Sequence, residues 1–393
     1  MNQSRLLGCL LLWVAHPLQA SEVSGYLKTF SIYQFEQSAT FVDRPDQALG
    51  EASLRLMWEP KGSFWTSEFH YEIQGFQSSR EGWVGSDLVR SNTSDRYRFD
   101  DLNPVIAEGK KSVLRQNLDR ANVRLKAGQW DITLGRQALT MGSARLVSPV
   151  DVFLPFDLRV LDTEYRPGID ALRLERALGD LSALDIGWVV GAEGQRDQSA
   201  MFAQWITNYQ GIDYATTWIE RDQVRLLGLG VTGAIGQHGV WFEAAKVAGR
   251  EDYWRSSLGI DGGVGDTGLW MVELHYNGAG TSASEDYLSQ NNVDAYRNFG
   301  VFLFARRYVL SALSVQLSAV TGFASQWVYN LDDQSSFFQV SIDRHVSDEW
   351  GLRAGVYRFG GDSDLTFTME GPALGSEFGL NPHVVFVGAR YYF

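Results

Sequence analysis

Cysteine is nearly absent from this chain: Cys9 is the only one in 393 residues, and it lies in the first ten. Disulfide scaffolds, thiolate metal sites and cysteine nucleophiles are thereby excluded from everything downstream of it. Lysine is almost as scarce, because six of the 34 basic residues are lysine (28, 61, 110, 111, 126, 246), leaving 28 arginines. Long apolar runs are missing too. The only continuous one is Leu6 to Ala15, too short to span a bilayer as a helix, and mean hydropathy is −0.18, so a bundle of transmembrane helices is excluded. No convincing amphipathic helix follows residue 22. The net charge of −13 excludes a general nucleic-acid binder.

What is present begins with MNQSRLLGCLLLWVAHPLQA: Arg5, then the apolar stretch, then a small residue at Ala20. This reads as a secretory signal peptide over 1–20, cleaved to leave one domain over 21–393. Beyond it the chain falls into alternating segments of about ten residues, which is the signature of a membrane barrel. Eighteen such segments are expected, with sixteen as the alternative: 22–36, 47–59, 63–77, 112–127, 130–140, 168–178, 181–193, 199–208, 211–221, 223–235, 238–248, 253–262, 268–278, 297–307, 311–329, 335–346, 350–360 and 382–393. Counted from a periplasmic N-terminus, the even connections are all short: GQ at 128–129, GD at 179–180, VLSA at 309–312 and SDE at 347–349 are examples. The four longest connections, 78–111, 141–167, 279–296 and 361–381, are all odd. Such segregation predicts an all-β, transmembrane, antiparallel up-and-down barrel with short periplasmic turns and long outer loops, in a bacterial outer membrane.

Charges set the register, since an arginine facing mid-bilayer lipid costs roughly 2–4 kcal/mol. In EFHYEIQ, Phe69, Tyr71 and Ile73 should face lipid, with Glu68, His70 and Glu72 inside. In LDRANVRLKAG, Arg120, Asn122, Arg124 and Lys126 point inward. Arg55, Arg173, Glu175, Asp343, Arg353 and Arg390 follow by the same rule, so the expected lining is polar and carries both signs. Arginine keeps its charge and binds carboxylate bidentately. Two readings stay open: a lining selective for anions, or arginines paired with neighbouring acids that stiffen the wall. Trp58, Trp65, Trp130, Trp188, Trp241 and Trp270 lie near expected strand ends, where interfacial girdles form.

Residues 135–175 are the most distinctive stretch. Pro149, Pro155 and Pro167 interrupt it, and Asp151, Asp157, Asp162 and Glu164 lie beside Arg145, Arg159 and Arg166. Leaving the outer end of the fifth strand, it either folds inward as a constriction or packs on the rim. The run Gly135-Arg136-Gln137, then Gly142, Arg145-Leu146, Pro149 and Asp151, resembles the strand-and-loop motif of the alginate-export type of outer-membrane barrel. That resemblance implies eighteen strands, a monomer and an arginine-rich lumen for an anionic polysaccharide. The chain's end, with Gly388, Tyr391 and Phe393 at set intervals, resembles the C-terminal assembly signal of bacterial outer-membrane proteins, which implies the barrel-assembly machinery as a partner beside membrane lipid and lipopolysaccharide.

The expected function is therefore a porin or exporter passing small or oligomeric, acidic solutes. An occluded scaffold or surface-polysaccharide attachment protein is the alternative. An enzyme is not expected, since none of the five histidines beyond the leader sits in a motif with a nucleophile. Neither a cofactor nor a metal site is expected.

Overall fold

The computed structural model describes residues 23–39, 42–81, 96–100, 102–155, 158–162, 164–368 and 371–393. Residues 1–22 with Cys9 and the expected leader, Asp157 and much of the 78–111 connection lie outside the described residues.

Alternation with no internal breaker produces long strands, and each finds its sequence neighbour. They are β1 Val23–Gln34, β2 Gln47–Trp58, β3 Trp65–Ser78, β4 Ser112–Ala127, β5 Trp130–Gln137, β6 Ile169–Ala177, β7 Ser182–Val189, β8 Ala200–Tyr209 and β9 Ile212–Arg221. The second half adds β10 Val224–Ile235, β11 His238–Ala248, β12 Tyr253–Val264, β13 Gly268–Asn277, β14 Arg307–Ser318, β15 Thr321–Asn330, β16 Ser336–His345, β17 Trp350–Gly360 and β18 Val384–Tyr392. All pair antiparallel with the next, and β18 pairs with β1, so an eighteen-stranded barrel closes. A short strand, Val105–Glu108, runs beside the outer end of β4. At the seam Lys28 lies opposite Arg390 and Phe30 opposite Gly388, while Gly25 and Phe393 exchange two backbone hydrogen bonds. A side chain at 388 would run into the Phe30 ring.

The outward face is greasy: Leu56, Leu227, Leu258, Leu274, Leu352 and Val387 are exposed on it. Aromatic pairs mark its periplasmic edge, Trp58 against Phe69 at 5.4 Å and Trp350 against Tyr391 at 4.9 Å. Trp241 departs from the girdle expectation, since it faces inward and is 1% exposed. In β4 the register with β3 slips between His70 and Tyr71, which leaves Asp119 as an extra residue. The slip turns Asn117 and Asp119 inward as well as Arg120 and Asn122, and all four are buried.

Two expected strands are wrong, in compensating ways. Residues 297–307 are not a strand: 278–306 is one long outer connection holding the short helices α1 Tyr287–Gln290 and α2 Asp294–Asn298. Residues 311–329 are two strands, β14 and β15, turning at Ala319-Val320, and VLSA is inside β14 rather than a turn. The alternation of Phe299, Val301, Leu303 and Ala305 is real, but it serves packing inside the lumen, where all four are buried. The turn residues Ser318 to Thr321 include no Gly, Pro or Asn, and apolar residues alternate straight through them.

The lumen is divided along its length. Inner faces in the outer half are apolar, among them Phe30, Ile32, Phe202, Leu226, Phe337 and Phe386, and two hydrophobic clusters fill the space between them. The filling comes from the connections 138–168, 278–306 and 361–383, through residues such as Phe153, Leu161, Phe299, Leu303 and Phe378. A barrel this wide has too large an interior for wall side chains to close, so the loops supply the core. In the periplasmic half the inner faces are charged and polar.

Replacing Val387, which faces lipid between Ser31 and Ala354, by Arg should destabilise the barrel by about 2–4 kcal/mol in urea titrations of vesicle-inserted protein. Gln316→Arg, on the inner face near the periplasmic rim, should cost about 0.5 kcal/mol or less.

Candidate functional site: a loop pinned across the lumen

The 138–168 connection leaves β5 at its outer end and turns into the barrel. Gly142 makes the first turn at φ 99°, where a β-carbon would also strike Ser148 and Val150. Leu139, Met141, Val147, Val150 and Phe153 then bury themselves among the wall residues.

Buried carboxylates on the far wall hold the loop by its polar groups. Glu243 of β11 accepts from the Ser143 N–H at 2.5 Å, the Ser143 hydroxyl at 3.1 Å and the Ser148 hydroxyl at 2.6 Å. Glu273 of β13 accepts from the N–H groups of Val147 at 2.8 Å and Leu146 at 3.3 Å, and from the Trp241 indole at 2.7 Å. From β12, Arg255 donates to the Pro149 carbonyl and Ser257 donates to that of Val147 at 2.6 Å. These charge-assisted bonds supply donors and acceptors that a loop inside a barrel would otherwise lack.

The near wall grips the other end. Lys28 of β1 bridges Asp162 and Glu164, both at 2.8 Å. Arg353 donates to the Leu161 carbonyl at 2.8 Å and Arg120 to the Arg166 carbonyl at 2.7 Å. Tyr165 is enclosed: the Arg55 guanidinium lies 3.5 Å from its ring centre, and its hydroxyl bonds His70 at 2.6 Å. Tyr392 donates to Glu164 at 2.8 Å. With contacts to β1–β4, β11–β13, β17 and β18, the loop spans the lumen.

The residues expected to line the interior are gathered mostly as ion pairs. Arg55 sits between Glu72 at 2.9 Å and Asp119 at 2.5 Å. Asn122 donates to Glu68 at 2.9 Å, and Arg120 lies 3.9 Å from the same carboxylate. Arg124 pairs with Asp131 at 2.7 Å and Glu175 at 3.1 Å, and Arg173 with Asp185 at 2.7 Å and Glu175 at 3.0 Å. Asp343 serves Arg390 at 2.7 Å and Arg353 at 3.5 Å. Lys126 is exposed at the periplasmic end of β4. Within the loop Arg145 pairs with Asp261 and Arg166 with Asp151 at 3.2 Å. Arg159 is set apart from these, at the outer mouth with Arg44 and Arg80. Gly388 lies on the inner face, Tyr391 and Phe393 on the lipid face.

Sequence reasoning missed Glu243, Glu273, Asp261 and Arg255, the wall groups that fix the loop. Their signal is a single acidic residue in a largely apolar strand, as Glu243 in WFEAAKV and Glu273 in MVELHY. It also missed Glu377, which joins two outer connections to the wall: it accepts from the Phe304 N–H at 2.9 Å, the Tyr308 hydroxyl at 2.6 Å and Asn330 at 2.9 Å. Burial pushes its carboxyl up to about 7, against the hydrogen bonds of Tyr308 and Phe304, which favour the charged form.

No family model matches the sequence, and no curated protein matches it closely. Solved structures do share the fold. OccAB4 of Acinetobacter baumannii aligns over 96% of this chain and 99% of its own with TM-score 0.58 and 10% identity. OccK7 (OpdD) of Pseudomonas aeruginosa aligns over 95% of this chain and 99% of its own, with TM-score 0.55 and 11% identity. For OccD3 (OpdP) of the same species the figures are 96%, 93%, 0.52 and 11%. The likeness is one of architecture, that of the outer-membrane porin barrel.

Glu273→Leu leaves the amides of Leu146 and Val147 and the Trp241 indole without their acceptor, at about 1–3 kcal/mol. Hydrogen exchange at residues 146 and 147 should accelerate at least about tenfold. Glu220→Gln, changing a rim carboxylate paired with Arg225, should leave that exchange unaltered.

Glu377 gives a pH dependence of defined sign. Its folded value lies above its ordinary value, so the packed loops bind the extra proton, and their stability falls as pH rises from about 4.5 to 7. Exchange of the amides around 376–379, corrected for intrinsic chemistry, should speed up by at most about tenfold per pH unit across that window. Glu377→Gln should flatten the profile.

Proposed function

We propose that this chain is a narrow outer-membrane channel for small anionic solutes, with the 138–168 loop as its constriction. The observation that carries the reading is the loop itself, pinned to opposite walls by Glu243, Glu273, Lys28 and Arg353. A segment fixed so firmly across the lumen narrows it without sealing it by mobility, and solutes are sorted at its edge. Arg55, Arg120, Asn122, Arg124, Lys126, Arg173, Arg353 and Arg390 line the path on the periplasmic side, together with Glu68, His70, Glu72, Glu175 and Asp343. Most of these charges neutralise one another, and selectivity then rests on guanidiniums that keep an exposed edge: Arg124 at 41%, Arg166 at 37%, Arg145 at 36% and Arg173 at 24%. In a lumen walled by low-dielectric material such residual charge is focused rather than screened.

Packing of the outer half favours small solutes over oligomeric ones, which separates this barrel from the polysaccharide export that the motif at 135–151 resembles. Residues 1–20 act as the export leader, and Gly388, Tyr391 and Phe393 present the chain to the barrel-assembly machinery. The mature protein is a monomer in lipid and lipopolysaccharide. The same packing also favours a second reading, an occluded scaffold whose hydrophobic clusters close the outer lumen.

Recording from single barrels in a planar bilayer under a salt gradient decides between them. The channel reading expects discrete steps with a reversal potential of anionic sign, moving toward zero in Arg124→Ala/Arg173→Ala. A cationic sign removes the anionic solute and keeps the channel. Silence from a folded barrel, converted to conduction by deleting residues 146–163, establishes the scaffold.

A further inference from the structure

At the outer ends of their strands Arg225 of β10, Lys246 of β11, Arg307 of β14 and Arg358 of β17 all face outward. The first three carry an acid: Glu220 lies 2.9 Å from Arg225, Asp252 3.7 Å from Lys246 and Asp332 2.6 Å from Arg307. Arg358 differs. It is exposed in line with Leu352 and Val356 on the lipid face, and it makes no hydrogen bond or ion pair among the described residues.

Its surroundings are aromatic on both sides. On one side the register runs Trp327, Phe338, Arg358 across β15, β16 and β17, and Trp327 packs on Tyr329 at 5.3 Å. On the other, one step beyond the pair of Tyr357 and Val384, stands His383, and next to it at the end of β1 come Phe35 and Tyr33, edge to face at 5.1 Å. The His383 Nδ1 accepts from the Phe359 N–H at 3.2 Å, which puts the ring proton on Nε2, a donor without a partner among the described residues. Asp46, beside Tyr33, is already taken by the Tyr33 hydroxyl and the Glu36 N–H, both at 2.8 Å. Below this belt β18, β1, β2 and β3 leave a groove of about 560 Å³ on the lipid face, lined by Tyr33, Val385 and Val387 with Ser31, Gly50 and Gln77. A guanidinium with its whole fork unspent takes phosphate bidentately, and aromatic rings suit the boundary between headgroup and acyl chain.

We infer that this sector of the outer rim is a binding site for one molecule of a phosphorylated saccharolipid of the outer leaflet, that is, lipopolysaccharide: a phosphate lies on Arg358 and the His383 Nε2–H, and one acyl chain lies in the groove beside Val385. The inference rests on the outer-membrane barrel and not on the channel reading, so it stands or falls separately from conduction.

Native mass spectrometry tests it on the detergent-folded barrel, titrated with lipid A (an acylated glucosamine disaccharide carrying two phosphates), with the same lipid stripped of phosphate, and with inorganic phosphate. Lipid A should bind once per barrel and at least about tenfold more tightly than the dephosphorylated lipid, and an equal concentration of inorganic phosphate should not displace it. Arg358→Gln should remove that preference, whereas Arg307→Gln, at a paired arginine on the same rim, should change affinity by less than about twofold. Gly50→Leu fills the groove where a β-carbon meets nothing within 4 Å, so it should weaken lipid A and leave the barrel folded in urea titration. Equal affinity with and without phosphate, an Arg307→Gln loss as large as that of Arg358→Gln, displacement by equimolar inorganic phosphate, or a dimer that Gly50→Leu dissolves would each overturn the assignment, the last by giving the groove to a second copy of the chain.

Discussion

Everything in this molecule depends on the pairing of β18 with β1. In hydrocarbon an unpaired strand edge leaves a row of N–H and C=O groups without water, so only a closed sheet is admissible. Here closure reaches the last residue, where Phe393 and Gly25 exchange hydrogen bonds. The seam is also closely packed: a side chain at Gly388 would meet the Phe30 ring. Once the edges meet, the alternation of every strand acquires a meaning, one face for lipid and one for the interior.

Closure with eighteen strands creates a second problem, an interior too wide for wall side chains to fill. The barrel meets it differently in its two halves. Toward the outside it imports apolar side chains on loops and builds an ordinary hydrophobic core within the lumen. Toward the periplasm it keeps charges, satisfied by one another. The boundary between these regimes is the 138–168 loop, whose backbone is served by Glu243, Glu273, Arg255 and Ser257 on one side and by Arg353 and Arg120 on the other. Buried carboxylates are costly unless they collect several donors, and each of these two collects at least three.

How much of this was legible in the sequence follows from what period two can and cannot encode. A charge in an alternating run names the inner face, which is why Arg55, Glu72 and Arg390 were placed on it by parity alone. Parity fails where both faces are apolar. In β1, Lys28 alone names the inner face that Phe30 and Ile32 share, against Leu27 and Tyr33 on the lipid face; where no such charge stands, nothing local distinguishes the two. For the same reason a loop segment packed in the lumen, Phe299 to Ala305, is indistinguishable from a strand, and the unmarked turn at Ala319 is invisible. The strand count survives because these two errors offset each other. Partners of Glu243 and Glu273 were out of reach, since they lie about 100 and 126 residues away along the chain and only the folded loop brings them near.

The arithmetic of charge carries the last step. A net charge of −13 does not conflict with the proposed anion preference, because selectivity is decided locally, where the dielectric is low and screening weak. Paired groups such as Arg55 with Glu72 and Asp119 present little outward field, and their work is to hold β1–β4 in register against the loop. In the proposed channel, the field a solute meets comes from guanidiniums that pair with the protein and still keep an exposed edge, Arg124 on the wall and Arg145 at the loop. Arginine is the residue for this position, because its five donors allow one edge to be spent on the protein while another stays available to what passes. Abundant arginine in a lumen is therefore compatible with structure and selectivity together, and the two are divided between buried and exposed edges of the same residue type.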